Sequence, residues 1–387
     1  MGLKRLTILG STGSVGTQTL DLVAEAPDAY QLGALVGGQN VELLAAQARQ
    51  FRPEITVISD ESRLPALRDA LADTGLAVAA GRQAVLEAAS RPVDWTMCAI
   101  TGTIGLEPTL AAVRHGGTIA FACKESLVSA GDVFLAEVEN SGALLLPVDS
   151  EHNAILQAMA DGNRKAIDKI VLTASGGPFL THTLEEMRGI SCEAALRHPV
   201  WSMGAKISID SATMFNKGLE VIEAARLFNL PSEKIEVLVH PQSVIHGMVC
   251  YADGSVLAQL GSPDMRIPIA HALAWPQRLA TQAPRLDLTQ IARLSFMAPD
   301  EVRFPALRLA REALQAGAGA PSVLNAANEV AVAAFLARKI GFLDIAAIVE
   351  DVMQKLGAPP VPDLDAVLAL DEAARIVATT LAAAKAA

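Results

Sequence analysis

Two short stretches carry side chains suited to holding a hard metal ion. The first, Pro147-Val148-Asp149-Ser150-Glu151-His152-Asn153, follows a run that reads as the last strand of a sheet. In an extended segment Asp149 and Glu151 project to the same side. Two carboxylates converging beyond a strand's carboxyl end suit Mg2+ or Mn2+. The alternative is that Asp149 and Ser150 cap a helix starting near His152, and spacing alone does not choose between them. The second stretch is DSATMFNKGLE, from Asp210 to Glu220. A helix from Met214 onwards would put Asn216, Lys217 and Glu220 on one face. Lys217 and Asn216 beside Ser211 suit a phosphate, and Glu220 could complete the metal site. Against this stands a solvated Lys–Glu pair, with Gly218 disfavouring the helix.

Other segments offer binding rather than bond chemistry. Gly10-Ser11-Thr12-Gly13-Ser14-Val15-Gly16 follows the first predicted strand and opens a helix, the arrangement that brings backbone N–H groups against a pyrophosphate. After the second predicted strand come Gly37, Gly38, Gln39 and Asn40, with no acid until Glu42. An acid there would hold an unphosphorylated ribose, so its absence favours NADP over NAD. Ser175-Gly176-Gly177-Pro178 reads either as a second phosphate nest or as a simple turn. Arg197 to Gly204 (RHPVWSMG) has poor periodicity and places His198, Trp201 and Met203 in a loop fit to close over a ligand. His240 and His246 flank Pro241, which breaks any continuous strand between them; a lone His is more often structural.

These groups sit on a strand–helix alternation. Strands are predicted over 6–9, 31–36, 55–58, 76–79, 95–100, 117–120 and 144–148, with helices such as 41–50, 106–114 and 126–139 between them. That pattern reads as a doubly wound parallel sheet. Strands over 170–173, 235–239, 244–251 and 256–260 follow, the last three read as an antiparallel meander turning at Asp253-Gly254. From about 304 onwards only helices are expected, over 304–315, 323–339, 343–356 and 364–384, as a small bundle.

The 387 residues are 51% hydrophobic, 19% charged and 4% aromatic, which excludes intrinsic disorder. A net charge of −11 argues against a nucleic-acid partner, and no apolar run is long enough for a membrane partner. The apolar stretch after Lys4 and Arg5 is too short for a signal peptide. Met1-Gly2 resembles a myristoylation start, but Leu6 stands where Ser or Thr is required. Cys98, Cys123, Cys192 and Cys250 form no CxxC pair and read as reduced thiols of a cytoplasmic protein.

In this order the segments GSTGSVG, KESLV, LLPVDSEHNAI, SGGPF, HPxWSMGxKISxDSATMxNKGLE, HPQSVIH, GSVLAQLGxPDMRxPIAHxxAWP and LNAANEVxVAAFL resemble the 1-deoxy-D-xylulose 5-phosphate reductoisomerase family, from Leu6 to about Leu336. The resemblance implies an α/β chain with an N-terminal Rossmann-type NADPH domain (1–149). A central α+β catalytic domain with a mixed sheet (150–285) and a C-terminal helical bundle (286–387) would follow, in a homodimer. It implies metal ligands at Asp149, Glu151 and Glu220, for one Mg2+ or Mn2+. Phosphate contacts fall on Ser175, Ser211, Asn216 and Lys217. Lys124 and Ser150 would hold the sugar's oxygen-bearing end, His198 would line the substrate site, and Trp201 and Met203 would belong to a lid. Thr12, Gly13, Ser14, Val15, Gly38, Gln39, Asn40, Glu125 and Gly204 would meet the cofactor.

Cys123 stands where the family usually has Asn against the cofactor, and Gln39 where Lys or Arg is often found, which implies altered cofactor affinity with retained chemistry. The implied reaction makes 2-C-methyl-D-erythritol 4-phosphate from a sugar phosphate substrate. Glu151, His198, His246 and Lys124 are the candidates for catalytic and proton-moving work. The rival readings are a plain NADP-dependent or semialdehyde dehydrogenase using Cys123 as nucleophile, and a non-enzymatic NADP sensor.

Overall fold

The computed structural model of the chain describes residues 3–159, 164–201 and 203–386, so Met1-Gly2 and Ser202 lie outside the described residues. Seven strands, β1 (Lys4–Leu9), β2 (Tyr30–Gly37), β3 (Ile55–Ile58), β4 (Ala77–Ala80), β5 (Trp95–Cys98), β6 (Thr118–Phe121) and β7 (Leu144–Pro147), form one sheet in the order β4-β3-β2-β1-β5-β6-β7. All their pairings are parallel. Every predicted strand of this set is present, with ends moved by no more than two residues. Helices cover both faces, so the central strands are buried and largely apolar: Leu6, Ile8 and Leu9 are fully buried, with Thr7 buried between them. Strand order reverses at β1, which lies between β2 and β5. In such sheets the crevice beyond the strand ends at that reversal is where ligands bind, and Gly10–Gly16 follows β1 directly.

By contact density the chain divides into two compact units. The first contains this sheet and residues 264–283. The helix Arg266–Ala274 is tied into it by Trp95, whose indole Nε1–H donates to the Ala272 carbonyl at 3.0 Å. Lys4 Nζ reaches the next carbonyl, Leu273, at 2.7 Å.

The second unit is built on β8 (Ile167–Ala174), β9 (Ile235–Val239), β10 (Ile245–Tyr251) and β11 (Val256–Leu260), in the order β11-β10-β8-β9. The sheet is mixed, as expected, but the predicted three-strand meander is not what forms. Only β10 and β11 make a hairpin, and β9 lies on the far side of β8, parallel to it. The reason is topological. The chain between β8 and β9 carries the helices Ala205–Thr213 and Phe215–Phe228, a crossover long enough to return the chain parallel. The β10–β11 turn is as read: the Asp253 carboxylate accepts from Ser255 N at 2.9 Å, and Gly254 has φ +88°.

From 306 onwards the regular structure is helical: Ala306–Ala316, Ala320–Leu336, Asp344–Leu356 and Leu364–Ala386. The sequence argued against a helix through Gly218, yet Phe215–Phe228 is continuous there. A Cβ at Gly218 would lie 2.9 Å from the Ala306 carbonyl oxygen and 3.1 Å from Ala310 Cβ. The missing side chain is what lets the bundle's first helix pack against the helix that carries Asn216, Lys217 and Glu220. Gly218→Val should therefore cost about 1–3 kcal/mol of stability by overpacking. Urea denaturation checks this, and an unchanged midpoint contradicts the packing argument.

Candidate active site

In the second unit Glu151, from the first acidic stretch, meets the second stretch. Helix Ser150–Ala158 starts at Ser150, so Asp149 and Glu151 do not share an extended strand; of the two readings the spacing left open, the helix start is the one that forms, two residues before His152. Val148 makes the last sheet bond, to the Phe121 carbonyl, and the chain turns at once into the helix. Glu151 thus sits in a first helical turn. Its Oε1 lies 3.0 Å from Lys217 Nζ. The same ammonium binds Glu220 Oε2, and Asn216 Nδ2 donates to Glu220 Oε1. Asn216, Lys217 and Glu220 therefore share a helix face at the i+3 and i+4 spacings read from the sequence. Lys217 and Glu220 are buried, so this is no solvated surface pair.

The two carboxylates meet one ammonium in a poorly solvated place. Glu151 and Glu220 each offer a carboxylate oxygen within 4.8 Å of the other. Hard oxygen donors of this kind fit Mg2+ or Mn2+.

Sequence reasoning missed the clamp behind this pair. His152 Nε2 lies 3.0 Å from the Glu220 carbonyl and His152 Nδ1 lies 3.0 Å from Glu223 Oε2. One buried imidazole thus fastens the helix bearing Glu151 to the helix bearing Glu220. The 220/223 spacing was the only signal available. Also missed was Asp210, buried beside Ser211, which accepts from Asn328 Nδ2 at 2.8 Å and pairs with Lys206 at 2.7 Å.

The phosphate candidates lie in the same unit. Ser175 follows β8, and Gly177 after it takes φ +67°. A Cβ on Gly177 would stand 2.9 Å from the Ser211 carbonyl, so the Ser175 loop lies against the end of helix Ala205–Thr213. Met214, at φ +65°, ends that helix and the next begins at Phe215. Ser211 therefore lies in a last helical turn, and Asn216 and Lys217 in the first turn of the helix that follows.

His198 joins this group, its Nε2 2.9 Å from Ser175 Oγ. Among the described residues no helix or strand covers 197–203. The Trp201 ring there lies 6.0 Å from the His246 ring. His246 Nε2 donates to the Gly261 carbonyl at 3.1 Å. Burial pushes His246 down to about 4 and lowers His198 below its ordinary value. Both rings are therefore neutral near pH 7. Met203 is half-buried, and Gly204 is the exposed residue that opens helix Ala205–Thr213.

In the first unit, Gly10 N and Ser11 N both donate to the Val36 carbonyl, at 2.9 and 2.8 Å. Helix Ser14–Ala24 begins after Gly13, with no side chain capping it. Its first N–H groups, beginning at Ser14 and Val15, are left for an anion, and Thr12 stands in the same turn. Gly38, Gln39 and Asn40 are exposed beyond β2. Asn40 Oδ1 caps helix Val41–Phe51 through Leu43 N at 3.0 Å, a structural task alongside any ligand contact.

Lys124 opens helix Lys124–Ser141, and its ammonium binds Asp149, both side chains being largely buried. Cys123 is buried, with Sγ 3.1 Å from Ser126 Oγ and 3.9 Å from the carboxylate of the buried Glu125. Desolvation, then the Glu125 charge, push its thiol well above the ordinary range. A thiol kept protonated is a poor nucleophile, which counts against the semialdehyde dehydrogenase reading.

Comparison with known proteins agrees with the resemblance. The family profile described as 1-deoxy-D-xylulose 5-phosphate reductoisomerase matches residues 6–131, and two profiles for C-terminal domains of that enzyme match 145–228 and 260–377. A 1-deoxy-D-xylulose 5-phosphate reductoisomerase of Rhodospirillum centenum is 57% identical over 99% of this chain and 95% of its own length. One of Gluconobacter oxydans is 58% identical over 97% of this chain and 92% of its own. Among solved structures, the Zymomonas mobilis reductoisomerase in complex with NADPH superposes with TM-score 0.93 at 53% identity, covering 98% and 99% of the two chains. A DOX-P reductoisomerase in complex with NADPH, fosmidomycin and magnesium gives TM-score 0.93 at 44% identity, covering 98% of each chain.

Two outcomes follow from the site's electrostatics. In the native protein Cys123 should resist iodoacetamide at pH 8 while the unfolded chain reacts, as peptide mass spectrometry would report; rapid native labelling contradicts the buried thiol. Because folding depresses the His246 pKa, protonation favours the unfolded chain. The stability tied to its neutral ring is complete above pH 6.5 and is lost as pH falls towards 4, by up to about 3 kcal/mol. Denaturant titrations across that window should show His246→Asn declining less steeply than the parent, and parallel curves would contradict it.

Proposed function

The chain belongs to the 1-deoxy-D-xylulose 5-phosphate reductoisomerase family, and from that premise we propose how its residues divide the work. It converts 1-deoxy-D-xylulose 5-phosphate to 2-C-methyl-D-erythritol 4-phosphate, using NADPH and one divalent cation, in non-mevalonate isoprenoid precursor synthesis. The observation that carries the residue-level reading is the convergence of Glu151 and Glu220 on Lys217.

Glu151 and Glu220 hold the metal, and Asp149, two residues before Glu151 on the same chain segment, is the third ligand. When bound, the cation acts as a Lewis acid on the substrate's oxygens while NADPH supplies hydride. Lys124, paired with Asp149, and Ser150 orient the sugar's oxygen-bearing end. Ser175, Ser211, Asn216 and Lys217 grip the phosphate. Anchoring the phosphate away from the bonds that change keeps both fragments of a retroaldol cleavage in place for re-addition. Trp201 and Met203 exclude water when the lid closes. Glu151 is the best-placed group for proton movement, since His246 spends its Nε2–H on Gly261.

Thr12 to Val15, Gly38 to Asn40, Cys123, Glu125 and Gly204 meet the cofactor. Cys123 brings no amide to that contact and Gln39 no positive charge, so cofactor affinity departs from that of relatives with Asn and Lys there. In functional terms 1–149 serves the cofactor, 150–285 the metal and substrate, and 286–387 the helical support.

A homodimer completes the reading. The edge strand β11 exposes Val256, Leu257 and Leu260 beside an unpaired backbone edge, the sort of surface a second copy covers. The four free cysteines suit a reducing cytoplasm, and no described helix is long and apolar enough to cross a membrane.

The deciding assay is NADPH consumption with 1-deoxy-D-xylulose 5-phosphate, with and without Mn2+. Turnover should vanish in EDTA and return with Mn2+, and Cys123→Ser should remain active. Glu220→Gln and Asp149→Asn should each lose on the order of a hundredfold or more in kcat. Wild-type turnover in either variant would remove that residue from the metal site.

A further inference from the structure

The hydrogen bonds around His198 fix more than its place beside the substrate. Its Nδ1 receives two backbone donors, Val200 N at 3.1 Å and Trp201 N at 2.8 Å. A nitrogen accepting N–H groups carries no proton, so the ring's single proton is on Nε2. From there it points at Ser175 Oγ, 2.9 Å away. Ser175 Oγ also accepts from Gly177 N at 3.2 Å. A hydroxyl has two lone pairs, and both are engaged. What Ser175 has left to give is its own proton, as a donor. A phosphate dianion offers acceptors only, so a hydroxyl locked as a donor is matched to it.

We infer that His198 is a positioning residue, a two-ended clasp that ties the backbone of the lid at 200–201 to the Ser175 hydroxyl, so that lid closure and the aiming of a phosphate donor are a single event. The Trp201 N–H held by one imidazole brings its indole beside the second neutral imidazole, His246. With both nitrogens engaged, His198 moves no proton in the reaction. This rests on the reading of Ser175 as a phosphate contact, which the experiment tests separately.

Asn and Gln divide the two ends of the clasp. Asn places an amide oxygen near the Nδ1 position and loses the reach to Ser175, while Gln reaches Ser175 and loses the acceptor for the lid. With enzyme loaded with Mn2+ and NADPH, His198→Asn should raise KM for 1-deoxy-D-xylulose 5-phosphate about tenfold and change kcat little. In His198→Gln, trypsin should cut after Arg197 several-fold faster with substrate bound, and kcat should fall more than KM rises. Ser175→Ala should raise KM comparably to His198→Asn, and the double variant should be no worse than Ser175→Ala alone.

If Ser175→Ala leaves KM unchanged, the phosphate reading fails and the clasp with it. If Ser175→Ala raises KM but the effect of His198→Asn adds in full, or Asn and Gln behave alike, the clasp alone is overturned. A loss confined to kcat in both His198 variants would make His198 an acid–base residue and overturn it equally.

Discussion

The buried ammonium of Lys217, held between the carboxylates of Glu151 and Glu220, is the interaction on which the second unit's architecture depends. Removing charges from water costs several kcal/mol per ion, and removing one partner of such a cluster leaves the others uncompensated. The three groups must therefore be delivered together by elements that cannot drift. Lys217 and Glu220 come from one helix at i,i+3, and Glu151 from another. The His152 ring, between the Glu220 carbonyl and Glu223, fixes the two helices against each other. The same packing brings carboxylate oxygens of Glu151 and Glu220 within 4.8 Å of each other, the spacing a shared hard cation would need.

The surrounding fold can be read as the means of holding these helices still. Gly218 lets Ala306–Ala316 pack against the Lys217 helix at backbone distance. Asn328, from the next helix of the bundle, binds Asp210 one residue before Ser211. A chain that adopts the left-handed conformation at Met214 accepts strain of about 1–3 kcal/mol. In return the helix is interrupted between Ser211 and Asn216, and a new helix N-terminus carrying Asn216 and Lys217 opens beside Ser211.

Much of this was legible in the sequence. Alternating apolar runs and helical periods marked the seven parallel strands, since the central strands are buried on both faces and read as largely apolar runs. The i+3 and i+4 spacing of Asn216, Lys217 and Glu220 described a real face. Three things were not legible. The position of β9 depends on which strand it pairs with, and its own residues do not encode that choice. The geometry of Asp149 and Glu151 stayed open between strand and helix because helix Ser150–Ala158 begins one residue after Asp149, and apolar patterning does not time such a transition. The partners of His152 and His198 were hidden because they are distant in sequence or are backbone N–H groups, which carry no residue signature.

On the proposed reading Glu151 and Glu220 hold one divalent cation between them. Mn2+ titration followed by the loss of the free-ion electron paramagnetic resonance signal tests it most directly. The expected result is one Mn2+ per chain, displaced by excess Mg2+, with Glu151→Gln binding far more weakly than the parent. A stoichiometry of two, or undiminished binding by Glu151→Gln, would contradict it.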